Sequence, residues 1–119
     1  MPLRLLFAIH NHQPDGNFGE VFEEAYEACY TRIVDALAAH PTIKASLHHT
    51  GALLEWIEAH RPGYFQRLRR LVDGGQVELL GGGFYEPMLA ILPERDAIGQ
   101  IRMMADYLER HFNQQPKNI

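Results

Sequence analysis

The sequence predicts an α/β fold, the opening part of a larger parallel barrel, on three observations. Apolar runs at Leu3–Ile9, Ile43–Leu47 and Gln76–Leu80 each stop abruptly at polar or glycine residues, as short buried strands do. Between and after them lie stretches whose apolar residues recur three and four apart, the mark of amphipathic helices. Such alternation of strand and helix means parallel neighbours joined by right-handed crossovers. An all-parallel sheet needs both faces covered, and about three βα units make only part of such a layer.

The first run breaks off at His10, Asn11, His12, Gln13 and Pro14. Alternate strand residues share a face, so His10 and His12 point the same way, on the side of Leu6 and Ala8. Two imidazoles at the C-terminal end of a buried strand stand where α/β folds place their chemistry. Polar residues merely opening a loop would explain one histidine better than two on one face. Asp15-Gly16-Asn17 is a turn. A helix follows from about Gly19 to His40, with Phe22, Tyr26, Cys29, Ile33 and Leu37 as its apolar stripe. Glu20, Glu23 and Glu24 crowd its first turns, where acids suit the helix dipole, and Pro41 ends it.

The second run closes on His48 and His49. Alternation sets His48 on the face of Ser46 and His49 on that of Leu47, and leaves open which face looks inward. Ala52–Ala59 is helical, His60-Arg61-Pro62-Gly63 breaks it, and Tyr64–Val72 resumes until Asp73-Gly74-Gly75, with glycine as the stop. Trp56 reads as helix packing. The third run, QVELL, carries Glu78 between Val77 and Leu79. A carboxylate in a buried strand is costly unless partnered; the alternative is an exposed strand face with Glu78 in water. Gly81-Gly82-Gly83 then permits a close approach or positive φ, but without the Lys-Ser/Thr of a phosphate loop. Met88–Leu92 is loop or a short helical turn. Pro93 opens a helix to about Phe112, with Ile98, Ile101, Met104, Tyr107, Leu108 and Phe112 inward. Asn113–Pro116 is a turn, and Lys117-Asn118-Ile119 leads into another strand.

Composition narrows the function. A net charge of −4 argues against nucleic acid as partner; Arg67, Arg69 and Arg70 read as a solvated helix face. Cys29 is the single cysteine, so no disulfide framework or cysteine metal cluster forms, which fits a reducing compartment. Leu3–Ile9 is far too short to span a membrane and lacks a signal-peptide cleavage pattern. A cytoplasmic protein is expected.

His10-Asn11-His12-Gln13-Pro14 resembles the first signature, His-x-His-Gln-Pro, of glycoside hydrolase family 57. Gly75-Gln76-Val77-Glu78 is similar to its second, Gly-Gln-x-Glu, and Leu80-Gly81-Gly82-Gly83-Phe84-Tyr85-Glu86-Pro87 to the continuation in amylase-like and glucanotransferase-like members. His40-Pro41 before a strand and Thr50-Gly51-Ala52-Leu53-Leu54 after it are similar to the second βα unit. The resemblance implies the N-terminal portion of a parallel (β/α)7 TIM-like barrel, with residues 1–119 as a segment of one catalytic domain truncated after about three βα units. It implies a retaining mechanism on α-glucosidic bonds, with a glutamate nucleophile and an aspartate acid/base. Both are expected downstream of Ile119, so no catalytic residue is assigned within the chain. His10, His12, Gln13 and Glu78 are then sugar-binding, with His12 and Glu78 nearest the scissile bond, and Tyr85 and Glu86 join them from the loop. Imidazole and amide offer both donors and acceptors to sugar hydroxyls, and a carboxylate accepts strongly. The implied partners are an α-1,4-linked glucan or maltooligosaccharide and the rest of the barrel; no cofactor and no metal is implied.

Two other readings remain. A metal-dependent hydrolase can draw two zinc ligands from His10 and His12, with Glu78 or His48 completing the set. Gln13-Pro14, the Gly-Gln-x-Glu strand and the glycine run match the glycosidase pattern instead. An inactive carbohydrate-binding fragment is the other, since both reacting carboxylates lie outside the chain.

Overall fold

The computed structural model describes residues 2–118. Three strands, β1 (Ala8–Asn11), β2 (Ala45–His49) and β3 (Val77–Leu79), form a parallel sheet in that order. Helices α1 (Gly19–Ala25) and α2 (Thr31–Ala39) connect β1 to β2. Helices α3 (Gly51–His60) and α4 (Pro62–Asp73) connect β2 to β3, and α5 (Glu94–Phe112) follows. Each strand is thus joined to its parallel neighbour by a helical crossover.

The helices pack on the sheet face that carries Ala45, Leu47, Val77 and Leu79. Val34, Leu53, Ile57, Leu68 and Met104 are fully buried there. The opposite face, carrying Ala8, His10, Ser46, His48 and Glu78 by alternation, is only partly covered.

Both histidine-bearing strands run further than their apolar stretches. β1 begins at Ala8 rather than Leu3, and Leu3, Leu5 and Leu6 stand exposed. The register explains this. Ala8 pairs with Ser46, so Leu6 and Leu5 would have to pair with Lys44 and Ile43, which have barely left the turn at Pro41–Thr42. At the other end the ladder continues through His10, Asn11, His48 and His49, each of which lies in a strand and not in a loop. The short turn after Met88 is a 3-10 helix, Leu89–Ile91. Residues 114–118 run along the outer edge of β3: the Gln114 amide bonds both N–H and C=O of Leu79, and Gly81 N–H donates to the Asn118 carbonyl. Ile119, the end of the expected lead-in strand, lies outside the described residues.

The long first helix contains a π turn, Tyr26–Tyr30, between α1 and α2. A π turn adds one residue to the helical cycle, which moves the buried stripe along by one. The buried residues are Phe22, Tyr26, Tyr30, Val34 and Leu37, in place of Cys29 and Ile33; Cys29 is exposed. This shift brings the Tyr30 hydroxyl to the turn after β1, where it donates to the His12 carbonyl at 3.1 Å.

A polar knot fastens the strand ends to the helices. His49 is 3% exposed and Asn11 2%. His49 Nε2 lies 2.7 Å from Tyr64 Oη and 3.3 Å from Asn11 Nδ2. Both neighbours donate, so the imidazole accepts at Nε2 and carries its proton on Nδ1. Burial, reinforced by the nearby His48 and His10, lowers the His49 pKa to about 3. Burial likewise pushes the Tyr64 hydroxyl well above the usual tyrosine value.

Two outcomes follow from this packing. The unfolded chain protonates His49 near its ordinary value of 6.5, and the folded chain only near about 3. Its stabilising contribution is therefore complete above pH 6.5 and is lost as pH falls towards 3, with a slope approaching about 1.4 kcal/mol per pH unit. Urea unfolding between pH 7 and 4 should show an acid limb that His49→Gln flattens by close to one proton; an unchanged limb would assign the proton elsewhere. A Cβ on Gly51 would meet the Phe84 ring at 2.2 Å. Gly51→Ala should accordingly cost about 1–3 kcal/mol by overpacking, and Phe84→Leu in the same chain should recover part of it.

Candidate functional site

Parallel register places His10 directly beside His48. Their centroids lie 4.8 Å apart with planes at 24°, and the rings meet edge to edge, with the two Nδ1 atoms 2.8 Å from each other. His12, beyond the strand end, sets its ring centroid 5.6 Å from that of His10, with planes at 28°. The outcome is a row of three imidazoles on the face opposite the helices.

Glu86 closes the row. Its Oε2 is 2.8 Å from His12 Nδ1, and its Oε1 is 3.4 Å from His10 Nε2 and 3.6 Å from His48 Nδ1. The loop after β3 delivers it. Phe84 is buried as an anchor, and Glu86 N–H donates to the Gly83 carbonyl across a tight turn. Gly82 has φ +150° and passes close to His48, where an added Cβ would sit 3.4 Å from Nε2. A Cβ on Gly83 would come within 2.8 Å of Pro87. Glu86 itself has φ +53°, a left-handed conformation that costs a non-glycine residue about 1–3 kcal/mol and gathers at functional sites.

One set of protons satisfies the three shorter contacts. His48 Nδ1–H donates to His10 Nδ1, His10 Nε2–H points at Glu86 Oε1, and His12 Nδ1–H donates to Glu86 Oε2. Desolvation favours neutral His48; it outweighs the pull of Glu86 and is aided by His10 and His12. The carboxylate stays 28% exposed and His10 54%, so both can meet a ligand. Beside them opens a cleft of about 530 Å³, lined by Ala8, His10, His48, Gly81, Gly82 and Glu86 among others. The arrangement presents imidazole donors, a strong acceptor and flat ring faces in a small volume.

Of the residues singled out from sequence, the structure brings together His10, His12 and Glu86. Gln13 lies behind them. Its amide donates to Tyr30 and accepts from Asn17, and its backbone exchanges two bonds with Thr50 Oγ1, which fixes the turn that carries His12. Glu78 shares the face of His10 and His48 but pairs with Ser46, two residues back along the strand. Its carboxylate accepts from Asn118 Nδ2 at 3.1 Å. The pairing of Glu78 with the imidazoles is therefore not formed, and the acid that meets them is Glu86. Tyr85 points away to α3, where its hydroxyl donates to Glu55 at 2.7 Å. That bond, more than burial, raises its pKa to about 12. Sequence reasoning left His48 without a place in the sugar site. Its signal was the shared position of His10 and His48 at the ends of neighbouring strands, which needs the register to be read.

The chain resembles known proteins over nearly its whole length. The model of glycosyl hydrolase family 57 matches residues 6–119. An alpha-amylase of Pyrococcus furiosus is 50% identical over 105 residues, covering 88% of this chain and 16% of its own. A 4-alpha-glucanotransferase of Thermococcus litoralis is 47% identical over 108 residues, covering 91% of this chain and 16% of its own. The crystal structure of 4-alpha-glucanotransferase from that organism superposes with a TM-score of 0.91 over 94% of this chain and 18% of the solved one. The chain thus spans about one sixth of the length of the curated relatives it matches. With its signatures, its sheet and its match over nearly every residue in agreement, the chain belongs to glycosyl hydrolase family 57.

Proposed function

We propose that this chain is the N-terminal segment of a (β/α)7 catalytic domain, cytoplasmic, that acts on α-1,4-linked glucans or maltooligosaccharides. It serves a retaining hydrolase or a 4-α-glucanotransferase, and its role is to hold a glucosyl unit. The observation that carries this reading is the convergence of three imidazoles on the Glu86 carboxylate beside an open cleft. His12 Nε2 and the exposed edge of His10 meet sugar hydroxyls, and Glu86 accepts from one of them. Glu78 acts two residues deeper on the same face, Gln13 holds the His12 turn, and Tyr85, bonded to Glu55, holds the loop that carries Glu86. The reacting carboxylate pair comes from the remainder of the barrel, so these residues orient the sugar and perform no bond cleavage themselves. Among the described residues no helix is long and apolar enough to cross a membrane, and the negative charge suits a neutral polysaccharide better than nucleic acid.

A chimera tests this. With the matching segment of the Thermococcus litoralis glucanotransferase replaced by this chain, maltooligosaccharide transfer should persist. In that background His12→Ala and Glu86→Gln should each lower kcat at least about 100-fold, equivalent to about 2.7 kcal/mol of barrier, with the unfolding midpoint nearly unchanged. Parental turnover in both variants would refute the reading.

A further inference from the structure

We propose that Tyr30 is a positioning residue for His12, brought there by the π turn of the first helix and held by Arg67 from α4. The contacts stand on their own geometry; their effect on turnover rests on the function proposed above.

The His12–Gln13 peptide is a rigid plane, and it is bonded at both polar atoms. Tyr30 Oη donates to the His12 carbonyl at 3.1 Å, and the Gln13 N–H donates to Thr50 Oγ1 at 3.1 Å. Fixing that plane fixes the direction in which the His12 Cα presents its ring. The ring depends on this support, because it is 44% exposed and still has to meet Glu86 Oε2 at 2.8 Å. The Tyr30 oxygen also accepts from Gln13 Nε2 at 3.1 Å, so one hydroxyl holds two consecutive residues of the turn. Burial raises the Tyr30 pKa above its ordinary value, against the pull of Gln13, and keeps the hydroxyl a donor.

That hydroxyl reaches the turn through the π turn at Tyr26–Tyr30, since a continuous α-helix would bury Cys29 in its place. π turns are rare and gather at functional sites. Arg67, which the sequence leaves on a solvated helix face, turns inward and brackets this one. Its Nη2 donates to Tyr26 Oη at 3.0 Å, at the first residue of the turn, and to Thr31 Oγ1 at 2.9 Å, just past the last. Its Nη1 pairs with Asp35. A planar fork of donors serves these three acceptors together, which the single nitrogen of a lysine does not. The arginine thus keeps the extra residue in the helix, and the extra residue keeps the hydroxyl on the His12 carbonyl.

The test uses the chimeric glucanotransferase described above and reads kcat for maltooligosaccharide transfer. Tyr30→Phe keeps the ring and removes the hydroxyl; it should lower kcat about tenfold, the size of one hydrogen bond. In the His12→Ala background the same change should cost nothing more, since the hydroxyl acts through that imidazole. Arg67→Lys should reproduce the loss in part and add nothing to Tyr30→Phe. Tyr107→Phe, which removes a buried hydroxyl bonded to Glu58, should leave kcat unchanged, and thermal midpoints check that each variant is folded. Parental kcat in Tyr30→Phe, or a tenfold loss that persists in the His12→Ala background, would overturn the positioning role and leave the sugar reading standing. Parental kcat in Arg67→Lys would overturn the part given to Arg67. Parental kcat in His12→Ala itself would overturn the sugar reading and this role with it.

Discussion

The parallel register that sets Ala8 beside Ser46 also sets His10 beside His48 and Asn11 beside His49. Side chains alternate along each strand, so a slip of one residue would send every one of these groups to the opposite face. His10 would then face the helices and Asn11 the cleft. The register is protected from both sides. On the helix side Leu47, Val77 and Leu79 are buried among α-helical residues and cannot be exchanged for Ser46 and Glu78 without exposing apolar surface. At the strand ends the Asn11–His49–Tyr64 knot accepts only one pairing of polar atoms.

The same strand ends therefore carry two opposite uses of imidazole. His49 is sealed in, kept neutral, and gives its acceptor to Tyr64 and Asn11; a missing partner there would leave a buried polar atom costing about 1–3 kcal/mol. His10 and His48, one residue earlier, look into the cleft and share a carboxylate. The buried knot makes the exposed row rigid. Asn11 lies between His10 and His12, so its fixed position limits the freedom of both.

The sequence made the parallel α/β order legible, along with α3 to α5 and the two strand-end histidines, because those rest on periodicity and breakers. What it did not show depends on geometry that periodicity does not encode. The π turn at Tyr26–Tyr30 preserves helical spacing on either side and only shifts its phase, so Cys29 and Ile33 looked as suitable for burial as Tyr30 and Val34. The apolar run at Leu3–Leu6 reads as strand, yet pairing depends on where β2 leaves its turn. Glu78 is expected beside His12 in the sugar site; its pair in the ladder falls two residues short of the His10–His48 level.

Glu86 shows why the loop was the better place to look. A left-handed glutamate costs about 1–3 kcal/mol, and a hydrogen bond to a charged group returns about 1.5–3 kcal/mol. The 2.8 Å contact with His12 alone is of the size needed to hold the strained backbone, before His10 and His48 contribute. Strain and imidazole row therefore sustain each other: without the histidines the loop has reason to relax, and without the carboxylate the clustered rings lose their common acceptor. A ligand entering the cleft meets an acceptor whose position has already been fixed at the protein's expense, so less of its own binding energy goes into ordering the site.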